Sequence, residues 1–307
     1  MKLRRVLLIF TVMLSAVIFA DGVYVLSLLA ERHNGGYVRD QPGPFSPPDV
    51  SHFESSVSAG RPVNLLVMGL DNEKSRTDVI LLFNFDPDRS KLNILSIARD
   101  TRVFERGKFS KINALYSAGG EELVAREITA LTGLPVNYYL TMDFRGFRKI
   151  VDTLGGVEFR VPFRMKYDDP DQNLHINLRK GTQLLDGDAA EQLVRYRKGN
   201  RAGQGYIDGD IGRIRMQQDF IRCLIRQKLN LKYLSRMDDI FGILRRYVKT
   251  NMGLTDIAAY LGSAGRINAD EVKTFTLPGD SAMKGDVWYF IHDEAATEEL
   301  IKANFFD

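Results

Sequence analysis

The spacing of apolar and polar positions divides this chain into three unlike stretches. The first opens on Lys2, Arg4 and Arg5 and then runs apolar from Val6 to Ala30, broken by Asp21 and Gly22. Twenty-five residues in helical form reach roughly 37 Å, more than the ~30 Å hydrocarbon core of a bilayer. Residues 1–30 are therefore expected to form a cytoplasmic stub and one transmembrane helix. Ile18-Phe19-Ala20 ahead of Asp21 lacks the small residue that a signal peptidase needs, so the span is read as an anchor and not a cleaved leader. The basic cluster before it predicts a cytoplasmic N-terminus and an exported remainder.

Residues 31–61 change character, with Pro42, Pro44, Pro47 and Pro48 among glycines and serines. Such a stretch buries too little apolar surface to fold and reads as a flexible tether.

From residue 62 short β-rich runs interleave with helical ones. Strands are expected at Asn64 to Gly69, Val79 to Phe85, Lys91 to Ile97, Tyr138 to Met142, Val157 to Val161 and Val272 to Leu277. The first three are almost continuously apolar, as in a sheet covered on both faces. The turn residues Asp86-Pro87-Asp88-Arg89-Ser90 predict a hairpin, so the sheet is mixed. Helical periodicity appears in Glu121 to Leu131, Phe144 to Leu154, Ala189 to Tyr196, Asp210 to Lys228 and Met237 to Val248. The fold class is α/β: residues 62–307 form a single domain, a central mixed sheet with helices on both faces, behind one N-terminal transmembrane helix.

Composition narrows the chemistry by exclusion. With one cysteine, Cys223, no internal disulfide forms, and four histidines among 307 residues make a Cys/His zinc site a poor reading. An exported chain without disulfides fits a bacterial surface. The chain has no phosphate-binding P-loop, no strand-linked dinucleotide glycines, no His-Glu-x-x-His and no Gly-x-Ser-x-Gly. Asp169-Pro170-Asp171-Gln172-Asn173 imitates the start of a calcium loop, but Leu174 replaces its turn glycine and Lys180 its bidentate glutamate.

Net charge is only +3, which argues against a nucleic-acid partner, yet the charge is uneven. Leu193 to Lys228 holds nine basic residues against Asp208, Asp210 and Asp219. Arg222, Arg226 and Lys228 read as a solvated helix face. Arg195 and Arg197 are different: two apart on a continuing helix they would diverge by about 200°, so a shared ligand requires the helix to end near Tyr196. Arg213 and Gln217, four apart, share a face near a helix N-terminus that itself favours an anion. Asp71 follows one expected strand and Asp78 precedes the next. They are either turn and cap aspartates or, beside a phosphate, the two carboxylates that Mg²⁺ or Mn²⁺ takes.

Eight short blocks in order carry a resemblance: Gly69-Leu70-Asp71, Arg76-Thr77-Asp78, Ser96 to Thr101, Lys111-Ile112-Asn113, Asp143 to Phe147, Asp152 to Val157, Val194-Arg195-Tyr196-Arg197, and Gly209 to Arg213 with Gln217-Gln218. In this order the chain resembles the LytR-CpsA-Psr cell-wall ligases over about residues 63–230. The resemblance implies a phosphotransferase of the bacterial cell membrane. It would move a glycopolymer (teichoic acid, capsular polysaccharide or similar) from a polyprenyl pyrophosphate carrier onto peptidoglycan, making a phosphodiester outside the cell.

By matching position, Arg76, Arg99, Arg195, Arg197, Arg213 and Gln217 surround the pyrophosphate and Asp71 and Asp78 hold magnesium. The lipid tail lies in an apolar tunnel in such proteins. Lys111 either touches phosphate or pairs with a carboxylate. Asp100 is expected to orient an arginine, Asp208 and Asp210 to cap a helix, and Asp78 or Asp71 to serve as the base for the acceptor hydroxyl. Ala98 stands where that family usually has proline and is expected to loosen the backbone at Arg99; Glu73 and Met216 replace common basic residues. The alternatives are a non-catalytic regulator or scaffold that holds the lipid, and a phosphatase that releases polymer to water.

Overall fold

The computed structural model describes residues 62–71, 73–170, 174–201, 204–207, 209–228 and 246–305. The expected transmembrane helix, the tether and most of the expected helix Met237 to Val248 lie outside the described residues. Among those described, no helix is long and apolar enough to cross a membrane.

The elements run β1 (Val63–Leu70), β2 (Thr77–Asp86), β3 (Lys91–Ile97), β4 (Arg102–Glu105), β5 (Lys108–Lys111), α1 (Leu115–Thr132), β6 (Tyr138–Asp143), α2 (Phe144–Thr153), β7 (Val157–Val161), β8 (Met165–Asp169), β9 (Leu174–Leu178) and β10 (Gly181–Leu185). They continue as α3 (Gly187–Arg195), α4 (Asp210–Lys228), β11 (Val248–Thr250), α5 (Leu254–Ala264), β12 (Lys273–Thr276), β13 (Gly279–Lys284), β14 (Val287–His292) and α6 (Glu294–Asn304).

The central sheet has the order β11-β6-β1-β2-β3-β12 and is mixed, with β1 antiparallel to β2 and parallel to β6. Period-2 alternation sorts its side chains into two cores. Leu66, Met68, Ile80, Leu82, Leu95 and Ile97 face one side with Val124 and Ile128 of α1 and Ile301 of α6. Leu81, Phe85, Ile94 and Tyr138 face the other with Tyr260 of α5 and Ile221 and Ile225 of α4. Both faces are covered, which is why these strands read as apolar runs. A third core joins β7, β8 and β9 to α2, α3 and α4 through Val157, Met165, Ile176, Leu193, Met216 and Phe220. Helix α4 contributes side chains to all three cores.

Four sequence readings need correction. Val157–Val161 is a strand but pairs with β10, outside the central sheet. Val248 is not helical: it opens β11, which pairs with Met142 at the edge of β6. Strand β2 starts at Thr77, two residues before Val79. Helix α1 begins at Leu115, six residues before Glu121, with non-helical Gly119 and Gly120 in between. Strands β4, β5, β8, β9, β10 and β13 were not legible as strands, because short half-exposed strands lack an apolar run; β14 does carry one, Val287 to Ile291, and was a missed signal.

Candidate active site

The site lies at the carboxyl ends of β1 and β6, where two loops and two helices converge. Strand register places the first carboxylate. Gly69 pairs with Val79 but Leu70 with Thr77, so Asp78 is the extra residue of a β-bulge. A bulge re-aims the side chain it carries, and Asp78 receives Arg99 Nη1 on Oδ1 at 2.7 Å. Arg99 follows β3 directly. Its turn is closed by Thr101, whose N–H and hydroxyl both donate to the Ala98 carbonyl at 2.9 and 2.6 Å. Those bonds hold the backbone where the replacement of proline was expected to loosen it.

Helix α3 supplies the opposite wall. It ends at Arg195, and Tyr196 is extended, with φ −62° and ψ 129°. Tyr196 is buried against Phe163 and Tyr206, so Arg195 and Arg197 on either side of it both reach the cavity. That is the helix ending which a shared ligand requires. The following loop folds back, with Tyr206 N–H donating to the Arg197 carbonyl and Lys198 bridging Gly205. Gly205, at φ 136°, has no room for a Cβ: one would lie 2.7 Å from the Lys198 Cα. Arg195 lies with its guanidinium 4.8 Å from the Phe144 ring and donates to Glu191 at 2.9 Å. Burial pushes the Tyr206 phenol well above its ordinary pKa, with the neighbouring Tyr196 adding to the rise.

Helix α4 closes the cavity with Arg213 and Gln217, both buried. The adjacent glutamines do different work. Gln217 faces the cavity while its amide donates to the Val194 carbonyl at 2.9 Å. Gln218 turns to the sheet and donates to Ser96 Oγ at 2.9 Å and the Phe275 carbonyl at 2.8 Å, tying β3 to β12. Of the two residues expected to cap, Asp208 lies outside the described residues and Asp210 is the first residue of α4. Arg222 and Arg226 are exposed and paired with Asp219 and Asp270, as a solvated face would have them.

The cavity holds about 210 Å³. Arg99, Arg195, Arg197, Lys198 and Arg213 line it against one carboxylate, Asp78, with Phe144, Tyr167, Leu174 and Val194 as apolar wall. Five cations to one anion make a site for a polyanion, and four of them are arginines, whose forks match phosphate oxygens. The structure thus brings together Asp78, Arg99, Arg195, Arg197, Arg213 and Gln217.

Three of the residues expected at the site lie apart from the cavity lining. Asp71 sits in the β1–β2 loop and accepts from Ser75 N–H at 2.8 Å, Ser75 Oγ at 3.1 Å and Arg76 N–H at 3.3 Å, the work of a turn aspartate. Arg76 is exposed in the same loop. Lys111 pairs with Asp100 at 3.2 Å. Asp100 therefore takes a lysine where an arginine was expected.

Sequence reasoning missed Lys198, Tyr167, Leu174 and Glu191. Lys198 carried a signal, the extended segment it shares with Arg195 and Arg197; the others carry none, because strand pairing and helix packing bring them in. Asp143 was quoted without a role. It caps α2 by accepting from Gly146 N–H at 2.9 Å and pairs with Lys74 at 3.3 Å. Burial opposes its ionisation, yet the Gly146 N–H, Lys74 and Arg145 hold its carboxyl below the usual range.

The donor chemistry fits a hard divalent cation. Asp78 keeps Oδ2, and the Asp71 oxygens and Ser75 hydroxyl are all oxygen donors. Among the described residues no three His, Cys, Asp or Glu gather at one point. Further ligands would then be water and substrate oxygens, which is how Mg²⁺ is commonly held.

Fold and cavity define an α/β protein with an arginine-rich polyanion site at the end of a mixed sheet. The chain belongs to the LytR_cpsA_psr family, whose sequence model matches residues 39–305. It is 30% identical over 256 residues to the polyisoprenyl-teichoic acid–peptidoglycan teichoic acid transferase TagU of Bacillus cereus, covering 80% of this chain and 79% of that one. The transferase of the same name from Bacillus subtilis is 28% identical, covering 81% and 79%. The crystal structure of B. subtilis TagV superposes with a TM-score of 0.68 at 27% identity, covering 80% of this chain and 96% of that one.

Proposed function

We infer that this protein is a glycopolymer phosphotransferase that joins a polymer of the teichoic acid kind, carried on a polyisoprenyl lipid, to peptidoglycan. The observation that carries the reading is the cavity itself, lined by five cations and one carboxylate, Asp78. The carrier is taken as a polyprenyl pyrophosphate, and the chain as a single-pass protein of the bacterial cell membrane with this domain outside.

In the reaction a sugar hydroxyl of the acceptor attacks the phosphorus that bears the glycan. A new P–O bond forms, the P–O bond to the polyprenyl phosphate breaks, and that phosphate departs with the electron pair. Arg195, Arg197, Arg213 and Lys198 neutralise the pyrophosphate, and Arg99 holds the transferred phosphoryl group beside Asp78. Positioning and electrostatics supply most of the rate in such transfers. Asp78, the carboxylate at the cavity, takes the hydroxyl proton. Asp78 and Asp71 would hold Mg²⁺ or Mn²⁺, which when bound neutralises charge on the phosphate oxygens.

The test uses the full chain in nanodiscs with a short polyprenyl-pyrophosphate glycan and soluble peptidoglycan oligomers, with and without Mg²⁺, followed by mass spectrometry. A metal-dependent glycan–peptidoglycan adduct that is lost in Arg99→Ala supports the transferase. Hydrolysed carrier without adduct points to a phosphatase, and bound but unchanged carrier in every condition to a scaffold.

A further inference from the structure

Seven large apolar side chains are exposed among the described residues, and five of them, Phe104, Phe109, Met283, Val287 and Trp288, stand on two hairpins, β4–β5 and β13–β14. Scattered apolar residues on a surface are ordinary; this concentration is not. Both hairpins are rooted on the backbone of Arg99, Asp100 and Thr101. Asn113 N–H donates to the Arg99 carbonyl at 3.2 Å, Phe290 N–H to that of Asp100 at 2.9 Å, and Ile112 N–H to that of Thr101 at 2.8 Å. The surface therefore grows directly out of the catalytic arginine.

Its chemistry interleaves rings and charges. The Arg102 guanidinium lies 3.5 Å from the Phe109 ring centroid and 5.6 Å from that of Tyr289. Lys111 reaches Tyr289 at 5.9 Å while pairing with Asp100. Phe104 and Phe109 oppose each other across the hairpin with ring centroids 4.9 Å apart. Thr101 and Phe290 meet in a parallel bridge, so the two hairpin turns point in opposite directions. The result is a ribbon, roughly 23 Å from Val287 to Glu105 at about 3.3 Å per residue.

We propose that this ribbon seats the glycan strand of the peptidoglycan acceptor and feeds its hydroxyl to Asp78, a proposal that rests on the transferase reading above. Sugar rings present weakly positive C–H groups that pack on the negative faces of aromatic rings, and the acidic peptides of the strand suit Arg102, Arg106 and Lys108. A bilayer fits less well. Its hydrocarbon would have to desolvate Asp100, Arg102 and Lys111, which lie among the rings. The acceptor is favoured over the donor polymer by the position of the base: Asp78 is the carboxylate of the cavity, and it is bonded to Arg99, where the ribbon begins. In the reading above the cations that neutralise the rest of the pyrophosphate, Arg195, Arg197, Lys198 and Arg213, stand across the cavity lining.

Trp288, the only tryptophan of the chain, alternates with Tyr289 on β14 and so stands on the face away from Arg102, Phe109 and Tyr289; binding is therefore read by isothermal titration calorimetry. Full chain in nanodiscs without donor is titrated with soluble peptidoglycan glycan oligomers. A saturable binding isotherm is expected, weakened about tenfold in Phe109→Ala and in Arg102→Ala, the scale of losing one strong ring or cation contact. In the transfer assay both variants should raise the acceptor KM about tenfold, with kcat and the donor KM within about twofold. Wild-type acceptor KM in both variants, while wild-type protein forms adduct, overturns the ribbon and leaves the transferase reading standing. Absence of adduct with any acceptor, while calorimetry still shows glycan binding that both variants weaken, supports the ribbon and removes the transferase. No glycan binding, with a nitroxide label on Phe109→Cys in a Cys223→Ser background immersed in the nanodisc acyl chains, overturns the proposal in favour of the membrane.

Discussion

Glu191 holds two arginines at once: Oε1 accepts from Arg195 at 2.9 Å, and Oε2 accepts from Arg148. Glu191 and Arg195 are about 9% and 10% exposed, and Arg195 lines the cavity, so this carboxylate aims a cavity cation from the buried side. Removing one partner of such a pair leaves the other charge buried, which costs about 3–5 kcal/mol. Glu191→Ala should therefore lower the melting temperature and, where folded, raise the donor KM. Glu191→Gln retains an acceptor oxygen and should recover much of the KM. Equal donor KM in all three proteins would make the pair purely structural.

Asp78 and Arg99 answer different questions. Arg99→Ala should cost on the order of 100-fold in transfer rate, as loss of one preorganised charge stabiliser does. Asp78→Asn keeps an acceptor oxygen for Arg99 and should leave folding intact while abolishing transfer. Circular dichroism checks the fold and adduct yield the reaction. Substantial turnover in Asp78→Asn would move the base elsewhere.

The three hydrogen bonds on Asp71 separate its turn role from a metal role. Ser75→Ala removes only the 3.1 Å hydroxyl contact, a loss of about 1 kcal/mol. If the carboxylate also holds Mg²⁺, the metal concentration for half-maximal rate should change strongly in Asp71→Asn and little in Ser75→Ala. Equal metal dependence in both variants would leave Asp71 a turn residue alone.

The pH dependence of stability has two limbs. The Asp143 carboxyl is held low despite burial, by Gly146 N–H, Lys74 and Arg145, and that of Glu121 is held low despite burial, chiefly by Lys249. A depressed acid stabilises above its ordinary pKa and loses that contribution as pH falls through the folded value. Both should therefore steepen unfolding below about pH 4, and Asp143→Asn should flatten that limb. At the other end Lys249 is raised, first by its hydrogen bond to Glu121, and Tyr116 is pushed up to about 12, first by burial. Raised groups stabilise below their ordinary values and lose it as pH rises. Denaturation midpoints measured from pH 3 to pH 11 check both limbs.

The sheet was legible because its central strands are buried on both faces: Leu65 to Met68, Ile80 to Phe83 and Ile94 to Ile97 leave no polar face to disguise them. The hairpin at Asp86 to Ser90 was legible because Pro and Asp fix turn geometry locally. Helix α4 was read to the residue. Its neighbours were not: the strand nature of Val248 comes from pairing with Met142, a contact more than a hundred positions away.

At the site, charge and helix ends singled out Arg195, Arg197, Arg213 and Gln217, strand ends singled out Asp71 and Asp78, and Arg99 was named by the resemblance to the family. The sequence by itself determined the membrane-like first segment as a pattern, the α/β class, the helix ending at Tyr196 and the concentration of basic residues around it, since each follows from local periodicity, turn chemistry or charge. Only the tertiary structure decided that a one-residue bulge turns Asp78 to Arg99 while Asp71 stays in its loop. It alone put Glu191 behind Arg195, divided Gln217 from Gln218 between cavity and sheet, and set two hairpins on the backbone of Arg99. Those are relationships of register and packing between distant segments, and a linear pattern carries no information about which face meets which.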